Sequence, residues 1–197
     1  YKNTGDAVHK VRGNILAEEF LPKDVIDEFG DTLFYASQIH ATLHEIGHTT
    51  GSQDPDHPEQ PSLYLKDEYS MLEEARAELF GMWAGLQAVE QGIISQKISD
   101  ACQYYMVISM VSALKFKAEQ AHNIARNIIF HYLKEQNALH IVQDDDKKKI
   151  RLDLKKTYAS VEKLLGMVGN IKASGNREAA IELREHYCFE DPLKEEI

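Results

Sequence analysis

Cysteine is nearly missing from this chain, with only Cys102 and Cys188 among 197 residues. The two lie far apart and show no metal or redox spacing, which excludes a disulfide-built scaffold and a cysteine-based metal knuckle. Reduced, buried thiols are expected. Proline is also scarce, and three of its five residues, Pro55, Pro58 and Pro61, fall in one short stretch, so long helices elsewhere run without a breaker. Positive charge is in deficit: 22 Lys and Arg against 32 Asp and Glu give a net charge of −10. No basic stripe is visible, so neither nucleic acid nor an anionic membrane is an expected partner. No apolar run approaches the roughly 20 residues that span a bilayer, and no signal peptide opens the chain. A cytoplasmic location is the expectation. Tyr1 stands where an initiating Met would, and the chain is read as the C-terminal fragment of a longer polypeptide. Hydrophobic residues make up 43%, enough for one helical domain over residues 1–197 to bury a core.

Apolar spacing organises the rest. Residues 1–30 are mixed, with Gly5, Gly13, Pro22 and Gly30 as punctuation. From Asp31 to Thr50, Leu33, Phe34, Ile39, Leu43 and Ile46 recur at helical spacing; Asp31 or Thr32 suits the N-cap and Gly51 the stop. Ser52 to Pro61 reads as a loop. Helices are expected over about 67–90, 95–117 and 118–136, the last two as one rod or two. Residues 139–143 and 149–153 read as a small hairpin, with Asp144-Asp145-Asp146 and Lys147-Lys148-Lys149 as its solvated turn. Leu154 to Ala173 and Asn176 to Tyr187 complete a mostly α chain.

The chemistry concentrates in His44-Glu45-Ile46-Gly47-His48, the HExxH pentapeptide. Two imidazoles at i and i+4 project from one face of a helix and can share a metal ion, and the Glu after the first points at the open coordination position. A hydrolytic zinc site needs a third protein ligand, and there are two sources. One is Glu73-Glu74-Ala75-Arg76-Ala77-Glu78, where Leu72, Leu79 and Met82 set apolar neighbours beside the acids, so that some carboxylates face inward. A buried carboxylate is costly without a cation or hydrogen bonds. The other is Asp54, because His44 to Asp54 spells HExxHxxGxxD, in which the chain turns and returns a ligand from a loop. That pattern calls for a methionine turn downstream, but Met71 and Met82 sit in helical sequence, so Asp54 stands second. His40 extends a His40–His44–His48 ladder and is expected to be packed or hydrogen-bonded, and His57 to be solvent-exposed.

Together these stretches resemble the dipeptidyl-peptidase III family of zinc exopeptidases. That family carries HExxGH on one helix and Glu-Glu-x-Arg-Ala-Glu on the next, matching His44–His48 and Glu73–Glu78. Gln120-Ala121-His122-Asn123-Ile124-Ala125-Arg126 is similar to its Gln-Ala-His-x-x-Ala-Arg segment, and Ile150–Asp153 and Lys172–Asn176 fall where similar sequence is placed. The resemblance implies a zincin-like helical lobe in which the HExxH helix packs on the acidic helix. It implies Zn2+ held by His44, His48 and Glu74, with Glu73 and Glu78 accepting hydrogen bonds from the ligand imidazoles. Glu45 would be the general base, His122 an oxyanion donor and Arg126 a contact for substrate carbonyls or carboxylates. The implied activity is hydrolysis of short peptides. The family has one more residue between its histidines; the i, i+4 spacing here needs no helix distortion to bind a metal. In the family a second lobe, rich in β-structure, supplies substrate N-terminus recognition and a catalytic tyrosine from preceding sequence. The chain resembles the zinc-bearing lobe alone, so an upstream domain of the same polypeptide is an expected partner. An accessory zinc-binding helical domain attached to an unrelated upstream catalytic domain is the alternative.

Overall fold

The computed structural model describes residues 11, 13–51, 61–114 and 120–189. They are mostly helical, with one antiparallel hairpin. A helical segment at 13–20 leads into α1 (Lys23–Thr49). There follow a short α2 (Pro61–Leu65), a 3-10 turn (Lys66–Glu68), α3 (Tyr69–Glu90), α4 (Gln96–Leu114) and α5 (Ala121–Glu135). Strands β1 (Leu139–Asp144) and β2 (Lys147–Leu152) precede α6 (Leu154–Ser174) and α7 (Arg177–Tyr187). Among the described residues no helix is long and apolar enough to cross a membrane.

α1 buries Val25, Phe29, Leu33, Ala36, His40, His44 and Gly47, three or four residues apart, as a single stripe. Two histidines of the ladder therefore lie on the core-facing side. α3 is buried almost all round: Leu72, Leu79 and Met82 are fully enclosed, and Arg76 and Glu78 are buried with them. Each such apolar side chain contributes about 1.5–3 kcal/mol by leaving water. α3 packs against α1, α4, α5 and α6 and so forms the hub of the bundle. Its crossing with α1 is tight. A Cβ on Gly47 would lie 3.1 Å from Ala77 Cα, and one on Gly81 would lie 2.7 Å from His40 Cε1. Hydrogen in place of a side chain at these two positions lets the backbones approach until short side chains from both helices reach a common point.

The structure corrects the expected start of α1. The helix begins at Lys23, not Asp31, and runs through Gly30. Its first turn is capped from a distance, since Asp144 Oδ2 accepts a hydrogen bond from the Lys23 backbone N–H at 2.9 Å. Arg151 adds a two-pronged contact to Asp24, at 2.6 and 2.8 Å. The hairpin turn is also tighter than expected: Asp144 pairs with Lys147, leaving only Asp145-Asp146 between the strands. Lys147–Lys149 therefore belong to β2, and Lys149 is not solvated. It is 7% exposed, and its ammonium donates to the carbonyls of Glu18 and Glu19, which close the 13–20 helical segment. α4 and α5 are separate helices, because Gln120 has extended backbone (φ −96°, ψ 144°). Asp153 and Asn176 N-cap α6 and α7 through their side chains. Both cysteines are free thiols; Cys102 is buried, which pushes its pKa up to about 12, and Cys188 is partly buried.

Candidate metal centre and cleft

Near the C-terminal end of α1, His44 and His48 direct their Nε2 atoms at each other, 3.0 Å apart. Glu74, on α3, brings Oε2 to 3.5 Å from His44 Nε2 and 3.6 Å from His48 Nε2. A triangle with those edges has a circumscribed radius of about 2.0 Å, the length of a zinc bond to imidazole nitrogen or carboxylate oxygen. Glu74 Oε2 is buried and makes no hydrogen bond of acceptable geometry, although His122 Nδ1 lies 3.1 Å away. Three electron-rich atoms converging on one point, one of them without a hydrogen bond, repel one another unless a metal cation or a proton on one ring lies between them. The donor set fits zinc in both chemistry and spacing.

The far sides of the rings are held by carboxylates. His48 Nδ1 donates to Glu73 Oε1 at 3.0 Å, and His44 Nδ1 lies 3.4 Å from Glu78 Oε2. A ring whose Nδ1 carries the proton presents its Nε2 lone pair to the shared point. Glu73 also accepts from Arg76 at 2.7 and 3.3 Å and from the Lys172 ammonium. Arg76 in turn donates to the Gly47 carbonyl at 2.6 Å, clasping the end of α1. Burial alone would raise the Glu73 pKa; hydrogen bonds from Arg76, Lys172 and His48 reverse this and hold it at about 2. Glu78 is more deeply buried, yet contacts with His40, His44 and Arg126 hold it well below the usual carboxylate range. For His44, burial opposes the charged form, but Glu78, Glu74 and Glu45 outweigh it and raise the pKa.

His40, His44 and Glu78 form a second group of donors close enough to share an ion. Both carboxylate oxygens of that group are hydrogen-bonded, with His40 Nε2 donating to Glu78 Oε2 at 2.9 Å and Arg126 Nε to Oε1 at 2.9 Å, although His40 Nδ1 and His44 Nδ1 have no hydrogen-bond partner. The orphaned oxygen belongs to the other group, which favours His44, His48 and Glu74. His40 has the buried, hydrogen-bonded place expected of it.

Glu45, His122 and Arg126 meet at one cleft of about 140 Å3, which His44 and Glu78 also line. Glu45 is exposed on the turn carrying His44. His122 is 51% exposed, with Nδ1 3.1 Å from Glu74 Oε2. Arg126 follows one turn later on α5, its guanidinium anchored to Glu78. Ligand sites commonly enclose roughly 300–1,000 Å3, so the cleft is less than half the size of the smallest of them.

His44, Glu45, His48, Glu73, Glu74, Glu78, His122 and Arg126 thus converge. Asp54 and His57 lie outside the described residues. Sequence reasoning assigned no role to Arg76 or Lys172, although both stood in the quoted segments, Arg76 within Glu-Glu-x-Arg and Lys172 at the head of Lys-Ala-Ser-Gly-Asn.

No protein-family model matches the chain. Solved structures of dipeptidyl-peptidase III are similar in fold. That from Caldithrix abyssi has a TM-score of 0.83 at 23% identity, covering 95% of this chain and 36% of its own. That from Corallococcus sp. strain EGB has a TM-score of 0.82 at 22% identity, covering 93% and 34%. The chain has the fold of the helical part of these proteins. A curated relative, Nudix hydrolase 3 of Arabidopsis thaliana, is 26% identical over 165 residues, 83% of this chain and 21% of the relative. The chain spans about a third or less of every one of these proteins.

Proposed function

We propose that the chain is the zinc-bearing lobe of a dipeptidyl-peptidase III-like metallopeptidase acting on short peptides. The observation that carries this is the orphaned Glu74 oxygen, set against two imidazole nitrogens at zinc-binding separations. Zinc, when bound by His44, His48 and Glu74, supplies Lewis acidity toward a water and a peptide carbonyl. The chain's own groups do the rest. Glu45 takes the proton from the attacking water and passes it to the leaving amine. His122, at the mouth of the cleft, donates to the oxygen on which negative charge develops. Arg126, fixed by Glu78, keeps its remaining N–H donors for substrate carbonyls or a terminal carboxylate. The small volume and the exposure of Glu45 and His122 argue that a further domain of the same polypeptide closes over the cleft and excludes water.

The test is Glu45→Gln in the zinc-loaded protein. One zinc per chain should remain by metal analysis, while hydrolysis of fluorogenic dipeptide amides falls to background; full activity would reject the proton-transfer role. A second reading is favoured by the curated relative, a Nudix hydrolase by name, of which this chain covers 21%. In it the chain is a non-catalytic zinc-binding lobe on an unrelated catalytic domain. Peptide hydrolysis absent from both the zinc-loaded chain and a longer polypeptide containing it would select that reading.

A further inference from the structure

Glu73 gathers partners from three helices. His48 reaches it from α1, Arg76 from one turn further along α3, and Lys172 from the last turn of α6. Arg76 shares a helix with Glu73, and an i, i+3 neighbour moves with it. Lys172 is different in kind, because it is the only one of the three contributed by neither helix of the metal centre. Its side chain is 15% exposed, with the ammonium against a Glu73 oxygen and 5.7 Å from the centre of the Tyr69 ring. A lysine stem has four torsions, and an exposed Lys–Glu pair gains little from holding them; enclosed by a ring and a carboxylate, this one has a defined place.

The chain also fixes where Lys172 begins. α6 ends in a left-handed Gly175 (φ 63°), with Gly175 N–H and Asn176 N–H bonded back to Lys172 and Ile171 carbonyls at 3.2 Å. A Cβ at 175 would meet Tyr64 Cβ at 2.9 Å. Asn176 then caps α7. Lys-Ala-Ser-Gly-Asn is therefore one device: glycine to end α6 against α2, asparagine to start α7, and lysine to reach the metal centre.

Given the zinc assignment proposed above, on which this inference rests, we propose that Lys172 is a positioning residue for the ligand His48, acting through Glu73. Glu73 has two oxygens and must present one to His48 Nδ1 in a fixed direction. Lys172 pins the other, Oε2, while Arg76 spans both oxygens, at 2.7 Å to Oε1 and 3.3 Å to Oε2, so the carboxylate is held against rotation. The His48 ring then meets the metal already oriented, and α6 is coupled to a centre to which it contributes no ligand.

Zinc affinity, measured by competition with a chromophoric chelator, tests this in the parent chain and four variants. Lys172→Met, which keeps the stem and loses the donor, should weaken zinc binding about ten-fold, as loss of a partner behind a ligand does. Lys172→Arg should recover to within about three-fold of the parent. In a Glu73→Gln background, Lys172→Met should add less than about two-fold, since the path through the carboxylate is already cut. Circular-dichroism melts in EDTA identify any variant that fails to fold; should Lys172→Met be one, Lys172→Gln replaces it in both the parent and the Glu73→Gln background, with the same outcomes expected. Unchanged or tighter binding by Lys172→Met, or an equal loss in the Glu73→Gln background, overturns the proposal. A parent chain that holds no zinc overturns the metal assignment, and this inference with it.

Discussion

Replacing Glu78 by alanine should cost more stability than any other single change at the centre, with no metal present. The carboxylate is 2% exposed and engages three groups: His40 at 2.9 Å, Arg126 at 2.9 Å and His44 at 3.4 Å. Arg126 is partly exposed and recovers water when released, so its lost bond counts toward the low end of the about 1.5–3 kcal/mol for a charged partner. His40 is buried and cannot, so its ring nitrogen keeps a desolvation penalty of about 1–3 kcal/mol. The cavity left behind adds to both. The expected loss is about 3–5 kcal/mol, the range for breaking a buried charged contact by removing one partner. Glu78→Gln keeps the volume and one acceptor and should lose less than half of that. Urea unfolding in EDTA near neutral pH, followed by far-ultraviolet circular dichroism, measures both. An alanine variant within 1 kcal/mol of the parent would mean that Glu78 is not the buried anchor the geometry makes it. With zinc restored, the same variant should also bind the metal about 10–100-fold more weakly, because His44 loses the group behind it.

Glu74→Ala should abolish stoichiometric zinc while Asp54→Ala retains it; the opposite pattern in metal analysis would place the third ligand in the loop. Acid stability should depend on Glu73. Its folded pKa of about 2 lies below the ordinary 4.5, so the stabilisation it gives is complete above pH 4.5 and is lost as pH falls toward 2. Glu73→Gln should flatten the decline in unfolding free energy between about pH 5 and pH 3 in EDTA, and equal slopes in the two proteins would refute that.

The helices were legible where a local signal sets them. α6 and α7 begin at Asp153 and Asn176, whose side chains cap them, and end or begin around a glycine that can take positive φ. α1 was misread because its start has no local signal. Pro22 offers no capping side chain, and the carboxylate that receives the Lys23 N–H belongs to Asp144, 121 positions later. Lys149 was misread for the same reason: three lysines after three aspartates look solvated, and only the fold shows helix-end carbonyls waiting above one of them. In each case a residue's partner lies far along the chain, which periodicity and propensity do not register.

The candidate centre divides along the same line. His44, Glu45 and His48 declare themselves because one helix carries them at a spacing that serves a shared ion. Chemistry says only that some acid among these apolar neighbours needs a cation or hydrogen bonds; the choice of Glu74 over Glu73 and Glu78 came from the family resemblance. The order within the acidic hexapeptide has a geometric cause that sequence alone does not display. Glu74 and Glu78 are one turn apart on α3, and His44 lies between them with a different ring nitrogen toward each. Glu73 sits about a hundred degrees around the same helix, where His48 and Lys172 find it. That arrangement requires α1 and α3 to cross with almost nothing between them, and Gly47 and Gly81 are where they do so. The glycine inside the HExxH pentapeptide is thus part of the binding geometry although it has no side chain to bind with. It sets the distance at which an acid on one helix can complete a site begun by two histidines on the other.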